Sequence, residues 1–445
     1  MVQGINLVST HALPDRLRAS FPYPLFNAIQ SKAFDAIFNS NSNFVLSAPT
    51  GSGKTAVLEL AVCRLINTFA SDSFKIVYQA PTKSLCAERQ RDWQAKFGTL
   101  GLECAELTGD TDNSHMRNVQ QASIIITTPE KWDSITRKWK DHQKLMQMVK
   151  LFLIDEVHIL KEERGATLEA VVSRMKSVGS DVRFVALSAT VPNSDDIAAW
   201  LGRDPMNPQI PALREKFGEE FRPVRLKKHV CGYQASPNDF AFEKSLSGKL
   251  PEVISKYSQH KPIMVFCFTR NACVETAKML ATWWSTKSPK DRYWEAPLRH
   301  LVAGDKELRG EIRTCINNVH NCLLTPLDTM SSGVAFHHAG LSIEDRNIVE
   351  KGYLDGNLNV ICCTSTLAVG VNLPCHMVII KGTVTYQGGQ AGGCKEYSDL
   401  EIMQMLGRAG RPQFDDSAVA VILTRTQRVP HYEQMISGQE VLESW

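Results

Sequence analysis

Two tandem doubly wound parallel-sheet lobes, an α/β architecture, are what this sequence predicts, on three observations. Short β-branched runs recur and end abruptly at small or polar clusters, helix-period segments separate them, and the same alternation restarts after a proline-rich interruption. At 445 residues the chain exceeds one ordinary domain and can bury two sizeable cores.

In the first lobe NFVLSAPT, KIVYQAPT, SIIITTPE, LFLIDE and RFVALSAT read as buried parallel strands, because a strand covered on both faces needs no polar alternation. Helical patterns such as Thr55–Phe69 and Ser84–Lys96 lie between them. PIMVFCFT, GVAFHHAG, NVICCTST, HMVIIKG and AVAVILT repeat that grammar in the second lobe without repeating its sequence. Between the two sets, Gly202–Arg225 holds GRDPMNPQIP and FRPVRL, whose prolines deny helix and central-strand continuation. The expected organisation is an N-terminal extension at 1–20, a first lobe at 21–203, a connection at 204–225 and a second lobe at 226–430. Ser285–Ser332, with SPKDRYWEAP, is read as an insertion in the second lobe. Lys381–Glu401, KGTVTYQGGQAGGCKEYSDLE, reads as a glycine-centred hairpin or a disordered loop.

Lys+Arg 50 against Asp+Glu 47 leaves a formal charge of +3, so any nucleic-acid contact must be local. No apolar run is long enough to span a bilayer, and MVQGINLVSTHALPD lacks the basic start and apolar core of a secretion signal. A soluble intracellular protein is expected. The 12 cysteines are scattered without a CxxC pair and read as small buried hydrophobes in a reducing compartment, not as a zinc or iron–sulfur site.

Open parallel sheets bind ligands outside the carboxyl ends of their strands, and the chemically suggestive clusters all sit there. In APTGSGKT, residues Ala48, Pro49, Thr50, Gly51, Ser52, Gly53, Lys54 and Thr55 hand a strand over to a helix. Backbone N–H groups wrap an anion where side chains are absent, and the helix N-terminus adds its dipole. Lys54 would reach the β and γ phosphates of ATP, and the Thr55 hydroxyl would ligate Mg²⁺. Asp155 and Glu156 of DEVH end another strand, expected next to the one carrying this loop. Paired carboxylates there call for a cation: Asp155 on Mg²⁺ through water, Glu156 orienting and deprotonating the attacking water. In QMLGRAGR, Gln404 opens a segment from which Arg408 and Arg411 could project toward the opposite lobe and neutralise charge in phosphoryl transfer; a solvated basic helix face competes. Gln30 could hydrogen-bond an adenine edge with Phe21 or Phe26 near the base, although its surroundings are also ordinary amphipathic helix.

Read in order, APTGSGKT, APTKSLCAER, LTGD, TTPEKWD, DEVH, SAT, VFCFTR, VAFHHAGL, TSTLAVGVNLP and QMLGRAGRPQFD resemble the motifs of superfamily-two helicases, over Phe21 to Asp415. VAFHHAGLSIEDRNIVEKGY and TSTLAVGVNLP resemble the Ski-two-like branch; TTPEKWDSITRKWKD and RGATLEAVVSRMK resemble its meiotic crossover helicases. The resemblance implies RecA-like lobes, 3′ to 5′ translocation on single-stranded DNA, branched DNA substrates, possible recombination protein partners and a nuclear location without a membrane. It implies strand contacts from Pro81, Thr82, Lys83, Thr128 and Pro129 in lobe one and Thr269, Arg270 and Thr364 in lobe two. Each threonine could equally be a helix cap. Ser188, Ala189 and Thr190 would couple hydrolysis to strand binding, and Tyr386 or Tyr397 would lie near the fork. The chain stops at Val441–Trp445, about where relatives begin a winged helix, so 431–445 is expected to be the truncated start of a following module. An RNA-remodelling helicase and an ATP-gated scaffold without unwinding are the competing functions.

Overall fold

Runs rich in Val, Ile and Leu become strands where helices can cover both sheet faces. In a computed structural model they build two units, Met1–Pro223 and Val224–Ser437. The described residues are 1–70, 73–109, 116–161, 164–178, 181–234, 236–295, 329–371, 373–386, 393–412 and 414–437.

The first unit holds β1 (Phe44–Ser47), β2 (Lys75–Gln79), β3 (Cys104–Leu107), β4 (Ile124–Thr127), β5 (Val149–Ile154), β6 (Arg183–Ser188) and β7 (Leu213–Lys216). They form one parallel sheet in the order β3-β4-β2-β5-β6-β1-β7. Strand alternation divides its core. Phe44, Leu46, Ile76, Tyr78 and Leu153 pack in one cluster with the helices Ala28–Phe38, Thr55–Thr68 and Lys83–Phe97. Val45, Val77, Ile125, Phe152 and Ile154 pack in the other with Pro129–Thr136, Gly165–Val178 and Ser194–Leu201.

The second unit holds β8 (Arg225–Tyr233), β9 (Ile263–Phe266), β10 (Val334–His337), β11 (Val360–Cys363), β12 (Met377–Lys381) and β15 (Ser417–Arg425), parallel in the order β10-β11-β9-β12-β15-β8. Lys381, at the end of β12, is buried and donates to Glu243 at 2.7 Å and Thr276 at 2.9 Å. Separately, β13 (Val384–Tyr386) and β14 (Cys394–Glu396) pair antiparallel, the hairpin alternative for the glycine-centred stretch, whose residues 387–392 lie outside the described ones.

The structure differs from the sequence expectation at the margins. Leu213–Lys216, inside the expected connection, is β7 and pairs with β1 from Phe44↔Leu213. An edge strand exposed on alternate residues carries no apolar run to announce it. The first twenty residues belong to the first unit, with Leu13 and Leu17 buried in its core. The helix Val429–Ile436 places Tyr432 and Met435 in the second unit's core, while 438–445 lie outside the described residues. So do 296–328 of the expected insertion; at its margins Trp284 donates to the Trp294 carbonyl and Trp294 to the Ser332 carbonyl, at 2.9 and 2.7 Å. No helix among the described residues is long and apolar enough to cross a membrane.

Candidate nucleotide and strand-binding sites

β1 delivers the chain to Ala48–Thr55, and Thr55 opens the helix Thr55–Thr68. Gly51 and Gly53 have φ of +77° and +80°, a conformation that favours glycine. At Gly53 space adds a second reason, because a Cβ would lie 2.7 Å from Gln30 Nε2. The Gln30 amide donates to the Gly53 carbonyl at 3.0 Å, and Asn27 donates to the Ser52 carbonyl at 2.9 Å. The same two residues cap the helix Ala28–Phe38 reciprocally. Gln30 thus supports the loop from beneath, accepting the Asn27 N–H and donating to the Gly53 carbonyl. Phe21 and Phe26 are buried, with their ring centres 5.2 Å apart.

The acidic pair follows β5, and β6 separates that strand from β1; the expected adjacency does not hold. The intervening β6 ends in Ser188–Ala189–Thr190, which touches both sides. Lys54 Nζ donates to the Ser188 carbonyl at 3.1 Å, and Ala48 N–H donates to the same oxygen at 3.1 Å. Ala189 N–H donates to His158 Nδ1 at 3.3 Å. That leaves the imidazole proton on Nε2, which lies 2.9 Å from the Glu156 carboxylate. Thr190 turns away and donates to the Phe217 carbonyl at 3.1 Å.

Asp155 has both carboxylate oxygens engaged: Oδ1 accepts the Glu156 N–H at 2.9 Å and Oδ2 accepts the Tyr78 hydroxyl at 2.5 Å. Burial, with Glu156 beside it, raises its pKa. Burial also works to raise Glu156, but His158 and Lys54 outweigh it and hold that carboxyl at about 2. A carboxylate so held is better suited to orienting a water than to taking its proton. Glu156 also has φ +55°, a left-handed conformation that costs a non-glycine residue on the order of 1–3 kcal/mol.

This donor set fits a Mg²⁺–nucleotide. The glycine loop offers N–H groups with no Cβ in the way at Gly51, and Thr55 and Asp155 supply hard oxygen donors. Among the described residues no three His, Cys, Asp or Glu side chains gather as a self-sufficient metal cage. That suits a cation which takes one or two protein oxygens and completes its shell with phosphates and water.

Beside the acidic pair, at the ends of β2 and β4, a cavity of about 510 Å³ is lined by Pro81, Thr82, Lys83, Thr128, Glu130, Lys131, Ser134 and Arg164, among others. Thr82 caps the helix Lys83–Phe97, accepting the Leu85 N–H at 3.3 Å. Pro129 is buried as the first residue of Pro129–Thr136, between the lining residues Thr128 and Glu130. Arg164 was missed by sequence reasoning. It forms a two-bond pair with Glu130, at 2.5 and 2.8 Å, and burial's upward push on Glu130 is overcome by that guanidinium.

In the second unit, Thr269, Arg270 and Thr364 follow β9 and β11, neighbouring strands in register from Val360↔Ile263. Thr269 caps Arg270–Thr286 through the Ala272 N–H at 3.1 Å, and Arg270 and burial together bring His338 down to about 4. Gln404 sits half-buried on the helix Asp399–Leu406. Arg408 donates to the Ala368 carbonyl. Arg411 makes a two-bond pair with the buried Asp415, both contacts at 2.9 Å, because that carboxylate needs a cation. Both arginines thus have hydrogen-bond partners inside their own unit. Of the two candidate fork tyrosines, Tyr386 is exposed while Tyr397 is buried in the core and unavailable.

Comparison with known proteins follows the same division. The DEAD/DEAH box helicase family matches residues 27–197, and the helicase conserved C-terminal domain matches 309–413. The chain is 44% identical over 440 residues to the ATP-dependent DNA helicase MER3 of Saccharomyces cerevisiae, covering 98% of this chain and 34% of that protein. It is 45% identical over 457 residues to the probable ATP-dependent DNA helicase HFM1 of Homo sapiens, covering 99% and 30%. Activating signal cointegrator 1 complex subunit 3 of Danio rerio is 36% identical over 431 residues, covering 95% and 26%. The chain spans about a third of the length of the MER3 and HFM1 proteins. Among solved structures, the DUF1998 helicase MrfA bound to DNA and AMPPNP superposes with a TM-score of 0.64 at 18% identity, covering 98% of this chain and 55% of that one, a likeness of fold. With both domains matched and the parallel sheets in place, the chain carries a DEAD/DEAH box helicase domain followed by a helicase conserved C-terminal domain, and over nearly all its length it is similar to the HFM1 and MER3 ATP-dependent DNA helicases.

Proposed function

We propose that this chain is the motor of an ATP-dependent 3′ to 5′ DNA helicase acting on branched recombination intermediates in meiotic crossover formation, in the nucleus. The observation that carries the reading is that one sheet edge of the first unit holds the phosphate loop, the Asp155–Glu156 pair and the Thr82–Lys83–Thr128 groove. Ser188 accepts from Lys54 of the loop, and Ala189 donates to His158, which faces Glu156 of the pair. In this reading Gly51, Ser52, Gly53 and Lys54 hold the phosphates, Thr55 and Asp155 hold Mg²⁺, and Glu156 orients the attacking water. Mg²⁺ supplies charge neutralisation on the phosphates. Arg408 and Arg411 neutralise charge developing on the transferred phosphoryl group, and Gln404 contributes a hydrogen-bonding amide. The groove and Thr269, Arg270 and Thr364 hold strand phosphates without reading sequence. MER3 and HFM1 support the choice of DNA, since their names describe ATP-dependent DNA helicases.

The test is displacement of a labelled strand from duplexes carrying a 3′ or a 5′ single-stranded tail. Unwinding from the 3′ tail, abolished by Lys54→Ala, is expected. Hydrolysis without displacement would point to an ATP-gated scaffold, and stronger stimulation of hydrolysis by RNA than by DNA would reverse the substrate.

A further inference from the structure

The Asp155 carboxylate is held more completely than its place at a strand end requires. Tyr78, inside β2 and in register with Leu153 of β5, donates its hydroxyl to Oδ2 at 2.5 Å, and the Glu156 N–H takes Oδ1 at 2.9 Å. With both oxygens occupied the carboxylate plane is fixed, and turning it would break both bonds. Asp155 N–H is itself anchored on the Gln79 carbonyl at 3.1 Å, so backbone and side chain are both tied to β2.

Arg89 stands behind this arrangement. Its guanidinium lies 5.6 Å from the Tyr78 ring centre and 5.4 Å from that of Trp93, and the two rings meet edge to face at 5.1 Å. A cation there balances the charge of the enclosed carboxylate and polarises the tyrosine hydroxyl toward it. Arg89 belongs to the helix Lys83–Phe97, whose first turn carries Lys83 and whose cap is Thr82, both lining the strand groove. Lys83 and Arg89 are six helical steps apart, about 9 Å along the axis. A shift of the first turn is thus delivered to Arg89 by a rigid element.

We infer that Tyr78 and Arg89 are positioning residues for the Mg²⁺–nucleotide complex: they hold Asp155 in one orientation, and the Lys83–Phe97 helix ties that setting to occupancy of the strand groove. The inference rests on the nucleotide and strand-binding reading proposed above. Neither residue lines the groove, so their effect on the metal passes through Asp155.

The experiment titrates Mg²⁺ against binding of a fluorescent ADP to the full chain, with and without an oligodeoxythymidine, for the parent, Tyr78→Phe and Arg89→Met. Tyr78→Phe keeps the ring against Trp93 and removes only the hydroxyl. It is expected to raise the Mg²⁺ concentration for half-maximal binding about tenfold. Binding in EDTA and affinity for the oligonucleotide stay at parental values, and Mn²⁺ recovers part of the loss. In the parent the oligonucleotide lowers the Mg²⁺ requirement about fivefold; in Arg89→Met it does not. Tyr78→Phe within twofold of the parent, or undiminished coupling in Arg89→Met, would overturn the inference. A parent with no Mg²⁺-dependent nucleotide binding, or no oligonucleotide binding, would instead sink the underlying reading, an outcome visible before any variant is compared.

Discussion

His158 shows how one side chain can serve two motifs: Nδ1 accepts from Ala189 and Nε2 faces Glu156. A small shift of the Ser188–Thr190 segment would therefore reach the carboxylate proposed to orient water. Elsewhere the residue scale decides stability. Asp133 is buried, and burial alone would raise its pKa, but Arg174 at 2.8 Å and Arg137 at 2.7 Å overturn that and depress it. A depressed carboxyl adds stability above its unfolded pKa of about 4 and loses it as pH falls toward the folded value. Asp133→Asn should accordingly lower the urea midpoint at pH 7, and the gap from the parent should narrow as pH drops below about 4. A gap that widened with acid would show the sign to be wrong. Glu156 and Lys54 were legible in the sequence because each sits in a motif of fixed spacing. Tyr78 was not, since a tyrosine within KIVYQ looks like core until its hydroxyl is seen against a residue far along the chain.

Among elements, β12 carries a further polar commitment in the second core. Lys381 and Glu243 are buried as a pair, with Thr276 taking another ammonium proton. Burial raises the Glu243 pKa, and Lys381 works against that rise. Lys381→Met leaves a carboxylate enclosed without its cation, a change of about 3–5 kcal/mol. Chemical denaturation should show that loss, and the double variant Lys381→Met/Glu243→Leu should recover most of it; a double variant as unstable as the single one would refute the pairing argument. The five apolar runs in each half all became strands, because doubly covered parallel strands advertise themselves. β3, β7 and β8 escaped, being half-exposed and carrying alternating or charged residues. The arginines of QMLGRAGR were visible by type. That they are held by Ala368 and Asp415 depended on contacts no spacing rule reports.

For the whole molecule, two units each with their own clusters make separability testable. Met1–Pro223 alone is expected to fold and bind nucleotide through its phosphate loop. Without Gln404, Arg408 and Arg411 its hydrolysis should be slower by about 10³-fold or more; hydrolysis at the rate of the full chain would remove those residues from the chemistry. The sequence order of the motifs was enough to infer the architecture, whereas the boundaries were not, because Leu13, Leu17 and Tyr432 join cores by packing that periodicity does not reveal. The pairing of β8 with β15, from Ser417↔Arg225 to Arg425↔Tyr233, has a bearing on biosynthesis. β8 emerges first from the ribosome but among the described residues has no sheet neighbour other than β15, made nearly two hundred residues later. At 5–20 residues per second it must wait on the order of 10–40 s. Arg225, Lys227 and Lys228 guard the unpaired edge against sticky encounters meanwhile. A message cut short before Ser417 would release a nascent chain whose β8 never finds its place, a natural substrate for chaperones and proteases.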